Sequence, residues 1–170
     1  MLKPGDTAPD FDLPAAVGAR AGRVSLARPG AEMVVLFFYP KDFSFICPTE
    51  VKGFQQMLPE FTAERTRIIG VSCDGVQTHL EWIRELGGVD YPLAADEGGK
   101  LARSYGAFDE REGVAMRATF IIDAARKVLY AVASQANVGR SVAETLRVVR
   151  ALRSGRMCPA DWKPDSETAA

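Results

Sequence analysis

The chain has 170 residues, 47% of them hydrophobic, which is enough to bury one domain core and cramped for two. With 25% charged residues and a formal net charge of −1, it lacks the basic excess that a nucleic-acid partner calls for. The longest apolar run, residues 33–39, is strand-sized against the roughly 20 residues of a membrane-spanning helix.

The N-terminus MLKPGDTAPDFDL carries Pro, Gly and Asp where a signal peptide needs an apolar stretch, so a cytoplasmic location is expected. Residues 1–30 are rich in Pro, Gly, Asp and Arg and read as irregular chain with short strands, one of them around residues 23–26. Residues 32–40, EMVVLFFYP, form a continuous run of Val, Leu and aromatics, the signature of a strand buried on both faces. Pro40 ends it, because proline has no N–H for a ladder. A helix is expected from residue 48 or 49 to about 65, where Val51, Phe54, Met57, Leu58 and Phe61 share one face. Pro59 predicts a kink or break near Leu58.

RIIGVS, residues 67–72, reads as a second buried strand. A helix over 76–86 follows, with Leu80, Ile83 and Leu86 on one face, stopped by Gly87 and Gly88. A shorter helix is expected over 98–105, then two strands, 118–123 and 127–134, joined by a tight turn. Val142, Leu146, Val149 and Leu152 give a last helix over 141–154. Ser141 suits its N-cap, with Glu144 completing a capping box. The tail WKPDSETAA is polar and expected to be mobile. Strand, helix, strand, helix, hairpin, helix is the order of an α/β domain of thioredoxin-like type, a central mixed sheet flanked by helices.

The three cysteines, Cys47, Cys73 and Cys158, are too few and too odd in number for a disulfide framework. No two are close enough for a zinc-binding pair, so no metal and no cofactor is expected. Cys47 lies between the end of a buried strand and the start of a helix, in FYPKDFSFICPTE. Pro48 suits the first helical position, which puts Cys47 at or beside the N-cap, where free N–H groups and the helix dipole favour an anion. A thiol there is expected to ionise more easily than a free cysteine, and the thiolate is the reactive form. The competing reading is a small buried hydrophobe, but Cys47 sits among Pro, Ser and Thr rather than on an apolar face. Ser44, three residues earlier, offers a hydroxyl. Arg117, just before the strand ATFIID, comes close if that strand neighbours the first one.

FYPKDFSFICPTE closely resembles the active-site segment of the peroxiredoxins, with Pro40, Ser44 and Cys47 in the family's Pro-x-x-x-Thr/Ser-x-x-Cys pattern. The resemblance runs from PGDTAPDF through RIIGVSCD, PLAADEGGKLARSYGAF, RATFIID and VGRSVAETLRVVRAL to MCPADWKP, nearly the whole chain. It implies a thiol-dependent peroxidase for hydrogen peroxide and organic hydroperoxides. Cys47 matches the peroxidatic cysteine, Pro40 the residue that shields it, and Ser44 and Arg117 the groups that hold the peroxide oxygens. Glu50 and Arg140 match a carboxylate and a second arginine of the same network. By itself Cys158 reads as an incidental thiol in a polar tail; the resemblance makes it the resolving cysteine of the typical two-cysteine subgroup, supplied by the partner of a homodimer. Such dimers often form rings of five, and thioredoxin or a dedicated flavoprotein reductase recycles the disulfide. The implied division is a domain over 1–155 and a C-terminal segment, 156–170, carrying Cys158.

Cys73 has no match and reads as structural. His79 and Trp82 share a helix face and are expected in the core or at an interface rather than in catalysis. Two departures from the subgroup stand out. Its easily over-oxidised members carry a Gly-Gly-Leu-Gly loop and a C-terminal Tyr-Phe pair. Here the loop reads GGVDYPL and is shorter, and no Tyr or Phe follows Trp162. Quick resolution and resistance to over-oxidation are therefore expected. The alternative function is a ring-forming holdase chaperone on the same fold, which needs no Ser44–Cys47–Arg117 constellation. A thioredoxin-type oxidoreductase needs C-x-x-C, and position 50 is Glu.

Overall fold

The computed structural model describes residues 1–26 and 33–164. Glu32, the last residues of the Pro- and Gly-rich N-terminal stretch, and the tail after Pro164 lie outside the described residues. Seven strands form one mixed sheet: β1 (Asp12–Val17), β2 (Arg20–Ser25), β3 (Met33–Phe38), β4 (Thr66–Ser72), β5 (Leu93–Ala95), β8 (Arg117–Asp123) and β9 (Val128–Ser134), in the order β2-β1-β5-β4-β3-β8-β9. A two-stranded ribbon, β6 (Phe108–Asp109) and β7 (Val114–Ala115), stands apart. The helices are α1 (Cys47–Gln56), α2 (Leu58–Ala63), α3 (Val76–Leu86), α4 (Lys100–Ser104) and α5 (Val142–Ser154).

β3 pairs in parallel with β4 and antiparallel with β8, and all six of its residues are buried. Strand alternation sends Val35 and Phe37 to one face and Val34, Leu36 and Phe38 to the other, so β3 feeds two cores at once. The first core takes Val51 and Phe54 of α1, Phe61 of α2, Trp82 and Ile83 of α3, and Leu146 and Val149 of α5. The second takes Leu101, Ala102 and Tyr105 from α4 and its end, with Ala8 and Val24. Helices cover both faces of a largely parallel centre, as parallel pairing requires.

The helix expected over 48–65 is two helices that meet at Met57, because Pro59 lacks the N–H that a continuous helix would use. Two strands of the sheet, β1 and β5, are less visible in the sequence. β1 pairs with both β2 and β5, although it contains Pro14 and lies in a stretch rich in turn formers. β5 is three residues long, below the length at which a pattern shows. α4 starts at Lys100 rather than 98, because Gly98 and Gly99 hold φ of +81° and +70°. Ser141 caps α5, accepting from the Glu144 N–H at 3.1 Å, but the Glu144 carboxylate turns to Arg147, so only half of the capping box forms.

Candidate active site

β3 ends beside β4, and residues 40–46 carry the chain over the edge of the sheet into α1. Cys47 is the first residue of α1, with Ile46 as an N-cap that makes no side-chain cap bond, so Pro48 falls one position later than expected. Cys47 is 1% exposed. The loop is held by Asp42, a buried residue the sequence reading did not single out. Asp42 accepts the Tyr39 hydroxyl at 2.8 Å and shares a 2.7 Å hydrogen bond with His79 Nδ1. Its backbone N–H donates to Asp74, which also accepts from the Ser72 hydroxyl. His79 is thus a core residue that anchors the loop, in line with its expected place in the core. Phe43 at the loop's tip, next to the anchored Asp42, has φ of +54°, unusual for a bulky residue.

The β3–β8 pairing sets Ala118 opposite Phe38, so Arg117 arrives at the end of β3. Its Nη1 donates to Cys47 Sγ at 3.6 Å and also to Glu50 at 2.5 Å, and its Nη2 donates to the Ala136 carbonyl at 2.8 Å. Glu50, 2% exposed and one turn along α1, accepts on its other oxygen from the Arg140 backbone N–H at 2.7 Å, and the Arg140 guanidinium forms an ion pair with that oxygen at 3.1 Å. Arg140 donates onward to Ala118 O, Thr119 Oγ1 and Phe38 O. Burial pulls the Arg140 guanidinium below its ordinary value, and the Glu50 charge opposes that pull. Cys47, Glu50, Arg117 and Arg140 are therefore one bonded cluster. Ser44 Oγ is buried and has no hydrogen-bond partner, Cys47 included, which leaves it a free donor. Pro40 is half-buried in the loop.

Cys158 is elsewhere. Its Sγ lies against the last turn of α5, 3.5 Å from Ser154 Oγ and 3.8 Å from the Ala151 carbonyl. The segment is folded back by Trp162, 5% exposed, whose carbonyl accepts from Arg147. All three cysteines are free thiols.

The AhpC/TSA family model matches residues 4–131. The peroxiredoxin prdx-2 of Caenorhabditis elegans is 41% identical over 96% of this chain and 87% of its own. Two solved structures superpose closely. AhpC of Mycobacterium tuberculosis has a TM-score of 0.87 at 31% identity, covering 96% of this chain and 99% of that one. The reduced 2-Cys peroxiredoxin of Plasmodium vivax has a TM-score of 0.90 at 29% identity, covering 99% and 93%. The chain belongs to the AhpC/TSA family.

It is a peroxiredoxin of the 2-Cys type with a thioredoxin-like fold, and hence a thiol-dependent peroxidase. The family's substrate is a peroxide, and its members usually assemble as oligomers. Among the described residues no three His, Cys, Asp or Glu side chains converge as metal ligands, and no helix is long and apolar enough to cross a membrane. The peroxiredoxin's loop anchor, Asp42 with His79, carried one readable signal: a carboxylate inside an aromatic loop and the chain's lone histidine, each needing a partner if buried.

Proposed function

We propose that Cys47 is the peroxidatic cysteine and that Cys158 of a partner chain resolves it. The Cys47 thiolate attacks the terminal oxygen of hydrogen peroxide or an organic hydroperoxide. The O–O bond breaks, sulfur is oxidised to a sulfenic acid, and the leaving alkoxide or hydroxide takes a proton to become alcohol or water. Negative charge moves from sulfur to the leaving oxygen in this step. Donors fixed at both ends stabilise it with no reorganisation. Arg117 supplies one at Sγ and the free Ser44 hydroxyl another, while Pro40 shields the thiolate from water. Glu50 and Arg140 are positioning residues: the carboxylate holds Arg117 in place and Arg140 holds the carboxylate.

The sulfenic acid then condenses with the Cys158 thiol, releasing water and forming a disulfide between subunits. Residues 156–170 serve as the arm that carries Cys158 across. A homodimer is the unit of activity, with a ring of five dimers as its assembly. Thioredoxin or a flavoprotein reductase reduces the disulfide, in a reducing compartment, the cytoplasm, that suits three free thiols.

The observation that carries this reading is the contact of Arg117 with both Cys47 and Glu50, which joins the first turn of α1 to a residue 70 positions along the chain from Cys47 in one buried cluster. Peroxide consumption with thioredoxin and its reductase tests it. Cys47→Ser is expected to show no turnover, and Cys158→Ser to react once and stall. Normal turnover in Cys47→Ser overturns the assignment.

A further inference from the structure

Arg117 meets Cys47 through one arm of its guanidinium fork, so the rotation of that fork decides whether the contact exists. Nη1 serves Cys47 Sγ and Glu50, Nη2 donates to the Ala136 carbonyl at 2.8 Å, and Nε has no hydrogen-bond partner. With the Nε edge unheld, the planar fork is fixed at Nη1 and Nη2 alone. The Nη1 anchors are buried, and Glu50 is itself held by Arg140. The Nη2 anchor is of another kind. It comes from residues 135–139, a turn between β9 and α5 in which every residue is exposed. The turn's large apolar side chain, Val138, is 52% exposed, so hydrogen bonds rather than packing give the turn its shape. Behind it lies a cavity of about 130 Å³, lined by Arg117, Tyr130, Ser134 and Gly139 among others, so the turn does not rest on a filled core there.

Two bonds close the turn. The Val138 N–H donates to the Gln135 carbonyl at 2.9 Å, and the Ser134 hydroxyl donates to the Val138 carbonyl at 2.9 Å. Ser134 is the last residue of β9 and stands directly opposite Arg117 in the β8–β9 ladder. Opposite residues of an antiparallel pair share a face, so the hydroxyl that closes the turn starts from the face that Arg117 occupies. At the far end of the turn the Arg140 N–H meets Glu50, and a Cβ on Gly139 would lie 3.3 Å from Ile46 Cγ2. The turn therefore borders the start of α1 as well as Arg117.

We propose that Ser134 is a positioning residue for the peroxidase reaction, because the turn it closes aims the Ala136 carbonyl at Arg117 Nη2 and so sets the rotation of the guanidinium at Cys47. The proposal rests on the roles of Cys47 and Arg117 given above. The Ser134 hydroxyl spends its proton on Val138, so it acts on the fork only through the backbone of the turn. Without it the Val138 carbonyl turns to water, the turn takes other shapes, and Nη2 loses its acceptor for part of the time. The fork then rotates about its unheld edge, and Nη1 stays with Glu50 but leaves Sγ. The buried ion pair keeps the fold, while the donor that meets the charge moving from sulfur to oxygen is misplaced.

The test places Ser134→Ala and Ser134→Thr in the wild-type protein and in an Arg117→Lys background. Stopped flow gives the second-order rate of Cys47 oxidation by hydrogen peroxide, and urea midpoints report stability. A lost hydrogen bond of ordinary strength corresponds to about a five-fold change in the equilibrium between aimed and released turns. Ser134→Ala is therefore expected to oxidise about three- to five-fold more slowly, with reduction of the disulfide by thioredoxin unchanged. Ser134→Thr, which restores a hydroxyl at that place, is expected to recover the wild-type rate. In the Arg117→Lys background there is no Nη2 for the turn to receive, so Ser134→Ala is expected to add no further loss. A wild-type rate in Ser134→Ala overturns the proposal. So does a slow Ser134→Thr, or a loss that persists undiminished in Arg117→Lys, since either means that residue 134 acts on the fold at large and not through the fork. An Arg117→Lys protein that oxidises as fast as wild type removes instead the role of Arg117 on which the proposal rests.

Discussion

Glu50 is a buried carboxylate between two buried guanidiniums, an arrangement whose stability depends on every member being present. Glu50→Gln keeps the shape and removes the charge that holds Arg117 and Arg140 together. The expected result is a loss of about 3 kcal/mol or more, seen as a lower urea midpoint. Arg117→Lys keeps the charge but loses the planar fork that serves Cys47, Glu50 and Ala136 O at once. Its second-order rate with peroxide is expected to fall about 100-fold, measured by stopped flow, while reduction of the disulfide is unaffected. An unchanged rate would remove Arg117 from the chemistry. Cys73 makes the opposite case. Burial pushes its thiol above the usual value and the nearby Asp96 charge adds to that. A raised thiol value means less thiolate at neutral pH, so iodoacetamide is expected to label Cys73 more slowly than a free cysteine at pH 7.5, with the gap closing as pH rises. Peptide mapping reads this directly.

The elements that position the site were the ones with long, pure patterns. β3 is a continuous apolar run, β4 and β8 each hold an apolar stretch, and a thioredoxin-like order sets β8 beside β3, so the approach of Arg117 to Cys47 was a conditional expectation that the β3–β8 pairing meets. β1 and β5 were not, because one contains proline and the other has three residues; their pairing is imposed by neighbours rather than by local preference. The Asp90–Gln55 pair was also hidden, since both are ordinary surface residue types until the fold joins them across 35 positions. Gly70 shows how tightly the layers meet. A Cβ there would lie 2.8 Å from both Leu93 Cδ2 and Phe37 Cζ. Phe37 stacks on Phe54 of α1 at 4.4 Å and underlies the Arg140 guanidinium at 5.0 Å. Gly70→Ala is therefore expected to cost about 1–3 kcal/mol, lowering the melting temperature by several degrees, and to slow the first oxidation through displaced Arg140. A variant as stable as wild type would mean that Phe37 can move without cost.

At the scale of the whole molecule, a single chain brings Arg117 to Cys47 and leaves Cys158 tucked against its own α5. Its sequence named Cys158 only through resemblance, because a cysteine in a polar tail has no pattern of its own and the partner that it meets is not written in one chain's periodicity. The two readings, resolution within a chain or between chains, separate cleanly by mixing. Cys47→Ser retains Cys158, and Cys158→Ser retains Cys47. Neither is expected to turn over alone with thioredoxin. If Cys158 crosses a two-fold interface, a mixed dimer contains one complete site, made of Cys47 from one chain and Cys158 from the other. Random exchange at equal amounts makes about half of the dimers mixed, each with one of its two sites competent. About a quarter of wild-type turnover is then expected to return, on the timescale of subunit exchange. Non-reducing gels should show a disulfide-linked dimer only in the mixture and in wild type. No recovery after exchange is complete, with a wild-type disulfide that runs as a monomer, would place Cys158 on the Cys47 of its own chain and make the arm an intramolecular one.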